Sequence, residues 1–146
     1  MTGVLLVLFA IVAGLFLPLQ AAVNTRLAHF VGGPVRASMV SFAVGAIALL
    51  VVALLFYRSG SVDARHAPWW AWIGGFFGAF YVTSAVVVPP RIGAAPYFGL
   101  LVAAQLVLGV LIDRFGLIGY PERALSPLRL AGVALLVVGA LLVRLF

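Results

Sequence analysis

Residues 4–30 read VLLVLFAIVAGLFLPLQAAVNTRLAHF, and the reading of this stretch decides the fold. Val4–Leu17 carries no charge. Pro18 follows, then the amides Gln20 and Asn24 four residues apart, then Arg26. A soluble loop leaves the apolar run unexplained. A helix facing lipid on all sides leaves two amides in hydrocarbon, which costs a few kcal/mol each when they lack partners (roughly 2–7). A membrane-spanning helix that turns Gln20 and Asn24 toward protein or a water-filled cavity satisfies both constraints. The run imitates a signal peptide but lacks a basic n-region and exceeds the usual h-region of about 7–15 residues, so it is expected to be a retained first span.

Working outward, the same texture recurs along the chain. Of 146 residues, 66% are hydrophobic and 8% charged, against about 25% charged in soluble domains. A helix crossing lipid needs roughly 20 apolar residues, and the chain divides into five such runs: 3–28 with a bend near Pro18, 35–57, 69–88, 93–112 and 128–143. Gly32-Gly33-Pro34 separates the first two. Trp69-Trp70-Ala71-Trp72 opens the third as an interfacial aromatic belt, and Pro89-Pro90-Arg91 closes it. The fourth stops at Asp113-Arg114. Backbone groups in lipid must pair internally, which restricts spans to helices or a closed barrel, and no strand-like alternation is present. The expectation is an all-α integral membrane protein: one five-helix domain over 1–146, with its ends on opposite sides of the membrane.

Every basic residue is Arg, nine in all, scattered singly between the apolar runs. No basic patch forms, so these are read as interfacial anchors and topology signals, with no nucleic-acid partner. Cysteine is absent, which excludes disulfides and thiol chemistry. His29, His66, Asp63, Asp113 and Glu122 stand in no metal-ligand spacing, and no nucleophile elbow, phosphate loop or carboxylate pair occurs. The expectation is no enzyme, no metal and no cofactor.

With the N-terminus inside, the inner loops hold five arginines (Arg58, Arg65, Arg114, Arg123, Arg129). The outer side holds three (Arg36, Arg91, Arg144), or four with Arg26. Orientation follows such a bias, and this one is weak. It fits a fixed orientation with a modest preference. It equally fits insertion both ways, with two opposed copies forming an antiparallel dimer.

Residues four, seven and eleven apart share a helix face. Gly74, Gly78, Tyr81 and Ala85 form one stripe; Ser38, Ser41, Gly45 and Val52 another; Phe98, Gln105 and Gly109 a third; Gly132 and Gly139 a fourth. Small residues let helices approach closely in lipid, so Gly74, Gly78, Gly132 and Gly139 are read as packing or dimer contacts. Gln20 and Asn24, with Tyr81 and the isolated mid-span amide Gln105, have two readings. They are interhelical struts, at about 0.6–2 kcal/mol per bond, or they line a site for a polar or weakly cationic solute. A mid-span Pro18 frees a carbonyl, and broken helices border transporter binding sites.

The segments Gln20-Ala-Ala-Val-Asn24-Thr-Arg-Leu27, Ser41-Phe-Ala-Val-Gly45, Trp72-Ile-Gly-Gly-Phe-Phe-Gly-Ala-Phe-Tyr81, Pro90-Arg-Ile-Gly-Ala-Ala95 and Gln105 to Gly116 run through four spans in order. Together they resemble the YdcZ family of the drug/metabolite transporter superfamily, related to the small multidrug resistance and EamA transporters. Gly132-Val-Ala-Leu-Leu-Val-Val-Gly139 looks like the glycine-heptad dimer helix of the small multidrug resistance family. The resemblance implies a five-helix exporter unit of the bacterial inner membrane. It also implies that single units pair antiparallel and that ten-helix relatives fuse two of them. One departure stands out. Small multidrug resistance transporters couple to protons through a glutamate in the first helix, where this chain carries amides.

The expected protein is therefore an antiparallel homodimer, embedded in membrane lipid, that transports a small organic solute. Gln20, Asn24, Tyr81 and Gln105 would contact the solute. The alternatives are a dual-topology ion channel and one half of a heterodimeric transporter.

Overall fold

The computed structural model describes residues 3–56 and 66–146. Tyr57, Arg58, Asp63 and Arg65, on which the end of the second span and part of the arginine count depend, lie outside the described residues. The described chain is helical. Its elements are α1 (Gly3–Val31), α2 (Pro34–Phe56), a 3-10 turn at Trp69–Ile73 leading into α3 (Gly74–Val87), the single-turn α4 (Pro89–Ile92), α5 (Ala94–Phe115), a short 3-10 turn at Leu117–Gly119, and α6 (Pro127–Leu145). Five of the helical stretches are long and apolar enough to cross a membrane: Gly3–Val31, Pro34–Phe56, Trp69–Ile92, Ala94–Phe115 and Pro127–Leu145.

Local chemistry sets the helix ends. After Val31, Gly32 takes φ 81° and Gly33 donates its N–H to the Ala28 carbonyl at 2.8 Å. This is a Schellman closure, which needs a left-handed residue that only Gly adopts without strain. Pro34 does not prolong the break; it occupies the first position of α2, where its missing N–H costs nothing. At the other end of unit one, Pro89 and Pro90 lack the N–H groups that would bond the carbonyls of Ala85 and Val86, so α3 ends at Val87. The chain then makes one further turn, α4, before Gly93 at φ 93° releases it into α5. The Pro-Pro-Arg segment is thus a helical turn of its own. α5 runs through Asp113 and Arg114 to Phe115 and ends on a left-handed Gly116. Ser126 caps α6 by accepting from the Arg129 N–H at 3.2 Å.

The chain forms two compact units, residues 1–87 and 88–146. In the first, α1, α2 and α3 contact one another pairwise. Gly78 of α3 makes room for the Phe42 ring of α2: a Cβ there would lie 3.2 Å from it. In the second, α5 packs on α6 at Gly99, where an added Cβ would lie 3.5 Å from the Ala140 Cβ. Within each unit few side chains are buried, and most Leu, Val, Ile and Phe residues are exposed. In water this surface would aggregate; in hydrocarbon it is the expected exterior.

Candidate functional site

The polar residues of the first unit gather where the three helices meet. Asn24, 4% exposed, is the one buried amide among the described residues. Its Nδ2 donates to Ser41 Oγ on α2 at 3.1 Å. One turn earlier on α1, Gln20 Nε2 donates to the same oxygen at 3.3 Å. The four-residue spacing of the two amides is what lets both reach one hydroxyl. A second polar link lies nearby: Thr83 Oγ1 of α3 donates to Ser38 Oγ at 3.2 Å, and Ser38 in turn donates to the Pro34 carbonyl. Ser41 and Ser38, three residues apart on one face of α2, therefore serve α1 and α3 respectively. In lipid such bonds hold helices together where no hydrophobic drive does.

Gln20 differs from Asn24 in exposure. It borders three hollows. One is a groove of about 580 Å³ between α1 and α2, walled by Phe16, Leu19, Val23, Val40 and Val44, with Gln20, Asn24 and Ser41 as its polar floor. Another, of about 270 Å³, runs past Ser41, Gly45 and Val82. The third is a narrow crevice in which Gln20, Asn24 and Tyr81 meet. The Tyr81 hydroxyl is buried there. The structure thus brings together Gln20, Asn24 and Tyr81 of the four residues singled out from sequence. Gln105 is an exposed residue of α5, in the second unit. Ser41 was visible as part of a small-residue stripe, but its role as shared acceptor was not; Thr83 gave no signal at all.

Among the glycines, Gly78 meets Phe42, while a Cβ at Gly74, Gly132 or Gly139 would meet nothing within 4 Å. The α6 glycine face is therefore unoccupied by the chain's own described atoms, and the close approach of α6 to α5 uses Ala140 instead.

The second unit holds the two described acids. Asp113 of α5 pairs with Arg129 in the first turn of α6 rather than with its neighbour Arg114. The Asp113 carbonyl also accepts from the Arg123 N–H at 2.7 Å, which folds the intervening loop back onto α5. Glu122 packs over Gly116, where a Cβ would lie 2.8 Å from the Glu122 Cγ. No group of three or more potential metal ligands occurs among the described residues.

Residues 5–142 match the family model described as "Putative inner membrane exporter, YdcZ". The chain is also 34% identical over 140 residues to the inner membrane protein YdcZ of Escherichia coli (strain K12), covering 92% of this chain and 91% of that protein. No solved structure matches it.

Proposed function

This chain belongs to the YdcZ family of inner-membrane exporters, and from that premise we propose that it works as an antiparallel homodimer that moves a small organic solute by alternating access. It is a multi-pass protein of the inner membrane. The observation that carries the reading is the position of Gln20: an exposed amide on the floor of an apolar groove, held by a hydroxyl that Asn24 also anchors. Pockets for organic molecules combine apolar walls with a few fixed polar groups, and this groove has that form. Gln20 is the solute contact, Asn24 positions it through Ser41, and Tyr81 lines the adjoining crevice. Gln105, exposed on α5, is a further proposed solute contact.

Pairing through the open Gly132–Gly139 face of α6 supports the dimer, since small residues there permit close helix approach. Opposed protomers make alternating access natural. Two conformations of one chain, exchanged between partners, open a site first to one side and then to the other. The test is a thermal-shift screen of organic solutes on the purified protein, followed by flux of each ligand into proteoliposomes. The reading expects saturable flux, with affinity weakened by Gln20→Ala and by Gln105→Ala. Flux that never saturates and runs at channel rates would overturn it, and so would ligands that bind without being moved.

A further inference from the structure

Two arginines stand just outside the lining of the groove between α1 and α2. Arg26 stands seven residues after Leu19 and three after Val23, both wall residues, so it continues their face of α1. Its guanidinium lies 5.3 Å from the centre of the Phe30 ring. Arg36 stands four residues before Val40, a wall residue of α2, and its Nη1 reaches back to the Val31 carbonyl at 3.4 Å. Phe30 and Val31 are consecutive residues of the last turn of α1. Both guanidinium groups therefore lie against the last turn of α1, one turn beyond the groove residue Leu27. Both Arg26 and Arg36 are exposed, and the described part of the first unit contains no Asp or Glu to neutralise them. Arg26 is held by ring stacking, a contact that leaves its N–H fork open to an acceptor.

Resting on the transporter reading, we infer that the solute is an amphipathic organic anion: an acid group bound by Arg26 and Arg36, and an apolar body lying along the groove toward Gln20. The charges decide the class. A cationic solute would find two like charges at the last turn of α1 and no described carboxylate in this unit. A carboxylate or phosphate finds planar N–H donors suited to bidentate bonding. The dimensions suit the same class. Gln20 lies six residues below Arg26, about 9 Å along the helix at 1.5 Å per residue. A solute whose acid head sits between the arginines and whose body carries an acceptor at about that depth meets the Gln20 amide as well.

The experiment uses the purified protein in phosphatidylcholine nanodiscs and two probes of equal chain length, decanoate and decyltrimethylammonium. Decanoate should bind at least about tenfold more tightly. Arg26→Gln and Arg36→Gln should each weaken it about tenfold to a hundredfold, as expected for a charge-assisted hydrogen bond. Arg144→Gln, at the far end of α6, should leave it unchanged. Equal binding of the two probes, or tighter binding of the cation, would overturn the inference, and the wild-type comparison decides this even if a variant misfolds. If the cation binds and shows saturable flux, only the solute class fails; if neither probe nor any screened ligand is moved, the transporter reading fails. A final arm replaces part of the phosphatidylcholine with phosphatidylglycerol. If that lipid displaces decanoate and proteoliposomes take up none, the arginines serve a lipid headgroup and the inference is wrong.

Discussion

Ser41→Ala removes one oxygen and separates the two roles assigned to the amides. In the wild type that oxygen accepts from Asn24 at 3.1 Å and from Gln20 at 3.3 Å. Without it, Asn24 remains buried at 4% exposure with its donor stranded, which costs about 1–3 kcal/mol. Gln20 is exposed to the groove and can bond water or solute there, so its share of the loss is close to zero. Membrane helix–helix hydrogen bonds are worth about 0.6–2 kcal/mol, and the expected destabilisation is therefore about 1–2 kcal/mol. Reversible unfolding by SDS titration in mixed micelles measures it. A double-mutant cycle of Asn24→Ala with Ser41→Ala should return a coupling of about 0.6–1.7 kcal/mol. Gln20→Ala should show the opposite profile: stability changed by less than about 0.5 kcal/mol, and solute affinity reduced about two- to twelvefold, the equivalent of one neutral hydrogen bond. The division of labour is refuted if Gln20→Ala destabilises as much as Ser41→Ala while affinity stays constant.

Three further outcomes are expected. Gly139→Leu fills the open face of α6 with a bulky side chain and should abolish the dimer in detergent while circular dichroism still reports a helical monomer; a dimer that survives both Gly132→Leu and Gly139→Leu places the interface elsewhere. Pro68→Cys, in a chain without native cysteine, should be labelled by an impermeant maleimide from both sides of the membrane if the protein inserts in both orientations, and labelling from one side alone excludes that. Asp113→Asn breaks a part-exposed pair with Arg129; such pairs contribute about 0–1 kcal/mol, so flux should persist, and its complete loss in a folded variant would make Asp113 a coupling group.

The five apolar runs were legible because lipid leaves the backbone no alternative to helix, so length and composition suffice to find them. Helix boundaries were less so. The Gly32-Gly33-Pro34 signal marked the turn, but Pro34 starts a helix there rather than stopping one. The Pro89-Pro90 pair likewise both ended α3 and began α4. Gln20 and Asn24 stood out because amides are rare and costly in hydrocarbon. Their common acceptor did not, since a serine on a small-residue stripe reads equally as a spacer. Only the distance from α1 to α2 shows that one hydroxyl serves both amides. The Arg26 and Arg36 pair was hidden for the same reason. Ten residues apart, they read as separate anchors until the helix turn folds them onto one end.

On the proposed reading, an anionic solute and an antiparallel dimer bear jointly on what drives export. The described acids are Asp113, paired with Arg129, and Glu122, in a loop. An antiparallel homodimer has no intrinsic inside or outside, so its binding sites give the cycle no direction. Direction then comes from the gradient acting on the solute itself. A bacterial interior is electrically negative, and moving one charge through 100 mV is worth about 2.3 kcal/mol. For a monovalent anion this pushes outward, and it sustains an outward concentration ratio of about fiftyfold per 100 mV. An anion uniporter therefore exports without a proton-coupling carboxylate in its first helix. In proteoliposomes loaded with decanoate, a potassium diffusion potential set by valinomycin should drive efflux when the lumen is negative and suppress it when the lumen is positive, with no pH gradient present. The protein-dependent flux is the difference from protein-free vesicles, which corrects for passive crossing of the protonated acid. Efflux indifferent to the sign of the potential, or one that demands a proton gradient, would sink this account of the driving force.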